Sequence, residues 1–452
     1  MATSVAPTQS IGNMATSKIA AAMVAEVESD LPLLMHANKS VQKPFETAGD
    51  GTTMDVIVPE MPTVGDGAWL NEGDPITPGG KGHELDYSNK AVPVVLKQKH
   101  VAFGIPGALE FASIEDMENL VTKPYGSTLA SEIQKDVAEA AMGASAFTAV
   151  LEGAGKFPQV SEAIAMLRKA RSYGKLYGVV GSTLNGKLAG EGIQYFNPQN
   201  NISDIWKSAR LGEYNAAEWF TTPDVEDLIV PSTASAAGQP LIGADNTVQA
   251  ISKGKKLFTT GVEGDYAWIT IGVADSDGNI TSQAAVKGES FVIGVADSAG
   301  NITPTVTVAD IFGNDTGAAY SFKILDVKVE GLNVLGKVKN PGFGEACNSV
   351  AGDLNDTDSA SVSIGLDPLK QTGPGVYYRG IIYAQNALCV AFGRFAKPVN
   401  AAVAQYSGQN GVTIRTTSQY QIEYDRNVTR WDTLVGANLA RPNWAVELLV
   451  KA

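Results

Sequence analysis

Residues able to do acid–base or metal chemistry are few in this chain and poorly grouped. Its three histidines, His36, His83 and His100, have no aspartate, cysteine or second histidine at metal-ligand spacing. The two cysteines, Cys347 and Cys389, lie far apart without a C-x-x-C arrangement, so neither a zinc knot nor a disulfide framework is expected, and a reducing compartment is the natural one. There is no G-x-S-x-G elbow, Walker loop or H-E-x-x-H pair, and the glycine-rich stretches do not sit between a buried strand and a helix as a phosphate cradle requires.

The best metal candidate is Asp275-Ser276-Asp277-Gly278-Asn279, whose alternating oxygens have the look of a calcium loop. The segment recurs as Asp297-Ser298-Ala299-Gly300-Asn301, where the second carboxylate is gone and the glycine and asparagine stay. What the copies share is therefore turn chemistry and not a ligand set. Acidic groups such as Glu72 with Asp74, or Asp224 with Glu226 and Asp227, read as charged surface runs before they read as catalytic dyads. No catalytic, cofactor-binding or metal residue is assigned, and no cofactor is expected. The remaining candidates are contact residues: Trp69, a large aromatic stranded among glycine and aspartate, reads as an anchor for a pocket on a neighbour, with Glu72 and Asp74 beside it.

The elements that would carry such contacts follow from patterning. Ile19, Met23 and Val27 recur at helical spacing after a Ser17 cap, giving a short arm helix too small to fold alone. Between Glu46 and Asn89 glycine and proline interleave, and the β-rich runs Met54–Pro59 and Ala91–Leu96 flank them, which predicts a long two-stranded arm needing a partner surface. His100–Ile105 is strand-like. Leu129, Ile133, Val137, Ala141 and Ala144 then mark a helix over Ser127–Phe147, and a second helix starts at Pro158 and stops at Gly174. Leu176–Val180 is strand-like, leads into Ile193–Phe196, and breaks at Asn197-Pro198 before a helical stretch through Ile205, Trp206 and Ala209. From about 236 to 345 the chain turns to β-branched alternation with Gly, Asp and Asn turns, read as an inserted β domain. Within it Ile271–Thr281 recurs as Ile293–Thr303, two similar hairpins of a small antiparallel barrel. Ala384–Phe392 suits a short helix or a strand, and strands around Gln419–Tyr424 and Trp444–Val450 complete the first sheet.

The 452-residue length allows two or three cores, and a formal net charge of −14 without a basic stripe excludes gripping nucleic acid by its phosphates, though an acidic wall can surround it. No run of apolar residues is long enough for a membrane span, and no signal peptide is read at the N-terminus.

This order of parts resembles the HK97-type capsid fold, and within it the coat-protein family of short-tailed Salmonella phages that carries an inserted β-barrel. Tyr195-Phe196-Asn197-Pro198-Gln199 is similar to that family's strand-end motif, followed by Leu228–Pro231 entering the insert, and Val435-Gly436-Ala437-Asn438 with Ala440-Arg441-Pro442 is similar to its closing segment. The resemblance implies an α+β fold: an N-terminal arm at 1–45, an extended loop with flanking strands at 46–105, a peripheral domain with a spine helix at 106–178, an axial domain at 179–235, the inserted antiparallel β-barrel at 236–345, and completion of both domains at 346–452. It implies a non-enzymatic major capsid protein of a tailed double-stranded DNA bacteriophage. Many copies would form pentamers and hexamers of an icosahedral shell around the genome in the virion, assembled in the host bacterial cytoplasm. The implied partners are a scaffolding protein, a portal and possible decoration proteins, with no membrane. Other readings are a tail or decoration protein, or an α/β enzyme without a recognisable motif.

Overall fold

The structure, a computed structural model, describes residues 20–28, 31–37, 53–59, 89–106, 121–153, 156–195, 213–230, 259–263, 266–274, 280–283, 287–288, 290–296, 302–304, 306–310, 315–330, 333–339, 350–351, 363–366, 375–395, 402–408, 411–424 and 426–452. A mixed seven-stranded sheet forms its centre. Six strands run in the order Phe147–Leu151, Ala445–Lys451, Gly375–Ala384, Leu176–Gly181, Ala217–Thr222 and Glu213–Tyr214, and Leu228–Val230 also pairs with Gly375–Ala384. The C-terminal strand is thus second in the sheet, parallel to Phe147–Leu151 and antiparallel to Gly375–Ala384. Its residues Ala445 to Val450 are all buried, the continuous apolar pattern of a strand covered on both faces.

A second, five-stranded sheet is built on the long strand Arg426–Leu439, which pairs with Lys97–Pro106, Leu388–Gly393 and Thr413–Gln421, with Ala402–Ser407 at the edge. The chain passes between the sheets through the turn at Gln385–Ala387, where Asn386 takes φ 69°, a left-handed conformation asparagine tolerates well. The stretch for which helix and strand were both open is therefore a turn followed by a strand.

The long helix spans Lys123–Ala144, with Pro124 in its first turn, where a missing N–H costs nothing. It ends three residues short of Phe147, because Phe147 opens a sheet strand opposite Val446. Leu129, Ile133, Val137 and Ala141 are buried along one face, the face the sequence pattern selects. The second helix, Lys156–Lys169, is followed by Gly174 at φ 87°. Helical residues 20–28 bury Met23, Val24 and Val27 and pack on the long helix at Gly126, where an added Cβ would lie 3.0 Å from Glu26 Cγ. The arm helix thus docks on its own chain.

One local expectation is corrected. Ile193-Gln194-Tyr195 ends a helix, Ser182–Tyr195, and is no part of a strand, while Phe196 to Gln199 of the strand-end motif lie outside the described residues. Gly186, Gly190 and Gly192 weaken the helical signal, but Leu184 and Leu188, four apart, are buried and outweigh that loss. Gly186 and Gly190 face open space.

The inserted segment is antiparallel throughout its described strands. Tyr266–Ala274 pairs with Ile280–Gln283 and Ser290–Ala296 with Ile302–Pro304, closing on the equivalent pairs Ala274↔Ile280 and Ala296↔Ile302, after which the first hairpin shifts by one residue between Val273 and Ala274 while the second runs on to Gly294↔Pro304. Val350–Ala351 and Ser363–Leu366 join the insert's strands, carrying its pairing past residue 345. Among the described residues the insert forms three hydrogen-bonded sheets, of five, four and three strands. It also shares its apolar interior with the body, since Phe291, Tyr320, Phe322 and Ile324 belong to the same buried cluster as the long helix.

Candidate functional site

The strands Thr53–Pro59 and Asn89–Val95 form the antiparallel pair expected of the arm, in register from Thr53↔Val95 to Pro59↔Asn89. Such a ribbon is marginal in water without a third surface. Its root has one. Val92, Val94 and Leu96 alternate inward and are buried with Cys389, Ala391 and Ala440 of the body. A Cβ on Gly436 would lie 2.5 Å from the Val95 carbonyl oxygen, and one on Gly393 would lie 3.0 Å from Leu96 Cδ1. Only glycine lets the arm's backbone come so near. Asn438 then donates its side-chain N–H to the Pro93 carbonyl at 2.8 Å, next to a proline that has no backbone N–H of its own to offer.

The strand that follows the arm is fixed by charge. Lys99 pairs with Asp136 at 2.9 Å and with Glu132 at 3.7 Å on the long helix. Gln98 donates to Asp432 at 3.0 Å, and Arg415 and Arg430 reach the same carboxylate at 2.8 and 2.6 Å. Burial would raise the Asp432 pKa, but Arg415, Arg430 and Gln98 together hold it below the usual carboxylate range. The arm thus leaves a body whose local geometry is over-determined.

A second anchorage joins the insert to the body at the C-terminal end of the long helix. That helix has no basic residue in its last turn. Lys323 of the insert supplies the cation, donating to the Met142 carbonyl and to Ser145 Oγ, where the helix dipole favours positive charge. Its Nζ lies 2.6 Å from Glu447 Oε2, and Arg379 Nε lies 2.9 Å from Glu447 Oε1. Arg379 also meets Glu139 of the long helix at 2.5 Å, so two cations and two anions balance. Burial would raise the Glu447 pKa; Lys323 and Arg379 hold it low. For Arg379 burial acts downward, and Glu447 and Glu139 more than offset it. Ser321 N–H to Ala146 O at 3.1 Å and Asn443 Nδ2 to Ala309 O at 2.9 Å complete the joint.

Trp69, Glu72 and Asp74 lie outside the described residues, as do His83, Cys347 and both copies of the Asp-Ser-x-Gly-Asn turn. His36 is stacked on Tyr177 and tilted against Phe220, with ring centroids 4.1 and 4.7 Å away, and His100 stands across the strands from Asp432. Asp224 accepts from Ser131 at 2.6 Å and Glu226 meets Lys135 at 3.3 Å, so both tie their loop to the long helix. Among the described residues no three His, Cys, Asp or Glu side chains are grouped to hold a metal, and no helix is long and apolar enough to cross a membrane. Sequence reasoning missed Lys323, Arg379 and Glu447, whose pairing across long separations leaves no local signal. Gly436 and Asn438 were marked by the closing-segment motif, and the arm's root is what they contact.

No family model matches the chain, and no curated protein matches it. Among solved structures it is similar to the head of Helicobacter pylori bacteriophage KHP40, with 7% identity over 93% of this chain and 91% of that one and a TM-score of 0.44. It is similar also to the acid-stable capsid of Helicobacter pylori bacteriophage KHP30, with 7% identity over 94% and 92% and a TM-score of 0.43. The capsid of Ralstonia phage GP4 shows 7% identity over 91% and 86% and a TM-score of 0.42.

Proposed function

We infer that this chain is the major capsid protein of a tailed double-stranded DNA bacteriophage, of the type found in short-tailed Salmonella phages. The observation that carries the reading is the arm. Its root is fastened to the body by Gly436 and Asn438. Beyond the paired strands, residues 60–88 are rich in glycine and proline and have too little apolar surface for a core of their own. A segment of that composition on a rigid root is suited to reaching a neighbouring copy, with Trp69 as anchor and Glu72 and Asp74 beside it. In this reading the insert is a β-barrel, and the subunits form pentamers and hexamers that enclose DNA in the virion. Scaffolding protein and portal act during assembly in the bacterial cytoplasm, and decoration proteins can add to the finished shell. The acidic composition supports a container that surrounds DNA without adhering to it. Co-expression with the scaffolding partner, followed by electron microscopy, tests this: closed shells are expected, and only small discrete oligomers under every condition would refute it.

A further inference from the structure

Among the described residues the chain crosses directly between the central sheet and the second sheet at Gln385–Ala387 and at Ala440–Trp444. The two crossings lie side by side, with the Ala440 N–H on the Ala387 carbonyl at 2.8 Å. The long helix ends at the same corner, where the Ala146 N–H reaches the Pro442 carbonyl at 3.0 Å. Connections gathered in one place form a hinge line, because a few residues at the ends of elements can absorb the backbone rotation of one layer against another. Asn386, at φ 69°, stands in that corner.

The N-terminal arm spans the corner. Its helical residues 20–28 lie against the second sheet, where a Cβ on Gly408, in the turn between Ala402–Ser407 and Thr413–Gln421, would be 2.6 Å from Val24 Cγ1. The same residues cross the long helix at Gly126, whose added Cβ would be 3.3 Å from Met23 Sδ. Farther along, Tyr383 Oη donates to the Leu33 carbonyl at 3.5 Å, and His36 meets the rings of Tyr177 and Phe220. Tyr177, Phe220 and Tyr383 all belong to the central sheet, so one segment touches both sheets and the helix laid over them. Met23, Val24, Val27, Leu31, Leu33 and Leu34 are almost fully buried by this docking. Their burial gains free energy of the same order as the backbone entropy lost in fixing the segment, so the arm is held by a small margin and can leave.

We propose that residues 20–37 are a releasable brace that sets the angle between the two sheets, and that undocking it frees the sheets to rotate about the Asn386 corner. The use of such a device rests on the shell-subunit reading, since a chain that fills both five-fold and six-fold positions needs more than one angle. The brace itself is tested on the unassembled chain. Spin labels carried on p-acetylphenylalanine in place of Glu218 and Tyr420, exposed positions on the two sheets, report the angle as an electron–electron distance. The full chain should give one narrow distribution. Deleting residues 1–37 should widen it about twofold or more, with circular dichroism otherwise that of a folded chain. A synthetic peptide of residues 16–37 added to the shortened chain should narrow it again, which a general loosening of the fold would not allow. An unchanged narrow distribution after deletion would overturn the brace, as would widening that the peptide does not reverse. Loss of the fold on deletion would overturn it too, by making the arm a fixed part of the core. Each of these results leaves the shell reading standing, and that reading fails separately if the full chain never assembles.

Discussion

Lys323, on the inserted segment, and Glu447, on the last strand of the central sheet, meet as a buried ion pair with Nζ 2.6 Å from Oε2. The lysine is 7% exposed and the glutamate 2%, so neither charge is hydrated as it would be alone. Removing one member of a buried pair leaves the other uncompensated, at a cost of about 3–5 kcal/mol. Arg379 still reaches Glu447, so Lys323→Met should fall near 3 kcal/mol in urea denaturation. Combined with Glu447→Gln the loss should be less than the sum of the single losses, with a coupling of ~1–3 kcal/mol. Strict additivity would show that the insert docks without this pair.

Acid should unlock both anchor points. The folded-state pKa values of Glu447 and Asp432 are depressed. Their contribution to stability is therefore fully present above the unfolded carboxylate pKa of ~4 and is lost as pH falls through the lower folded values. The urea midpoint should be level from about pH 7 to 5 and decline below ~4. Asp432→Asn should be less stable at neutral pH and should flatten that decline; an unchanged acid limb would contradict the assignment.

Gly436→Ala places a methyl group against backbone, the Val95 carbonyl, which cannot rotate away as a side-chain end can. The expected cost is ~1–3 kcal/mol. Amides of residues 90–95 should exchange faster with solvent than in wild type, while those of the central sheet strand 445–451 should be unaffected. Asn438→Ala should give a milder version, about 1 kcal/mol, by losing the bond to Pro93.

Cys389 reports on the same anchor. Burial pushes its thiol up to about 12, with a backbone hydrogen bond from Ala440 offsetting part of the rise. The thiolate needed for alkylation is therefore scarce, and Cys389 should resist iodoacetamide at pH 8 in the native protein and react only as the chain unfolds. Rapid native labelling, mapped to Cys389 by mass spectrometry, would mean that the arm's root opens readily.

The long helix, the arm strands and the twin hairpins were legible because each is a local pattern: period 3.6 at Leu129, Ile133 and Val137, β-rich runs about a Gly–Pro segment, and a repeated turn. The helix Ser182–Tyr195 was not, because its glycines mask a face marked by Leu184, Leu188 and Ala189. The passage of the insert beyond residue 345 depends on Ser363–Leu366 pairing with Phe291–Gly294, a long-range match that no window along the chain contains. The ionic joint was hidden for the same reason, since Lys323 and Glu447 are ordinary surface letters until the fold buries them. Trp69, by contrast, stands out in sequence by composition alone.

Deleting Gly65–Gly82 and following assembly by sedimentation and electron microscopy tests the central claim most directly. A chain that folds with wild-type circular dichroism yet makes no stable shells is the predicted result. Normal shells from the shortened chain would contradict it.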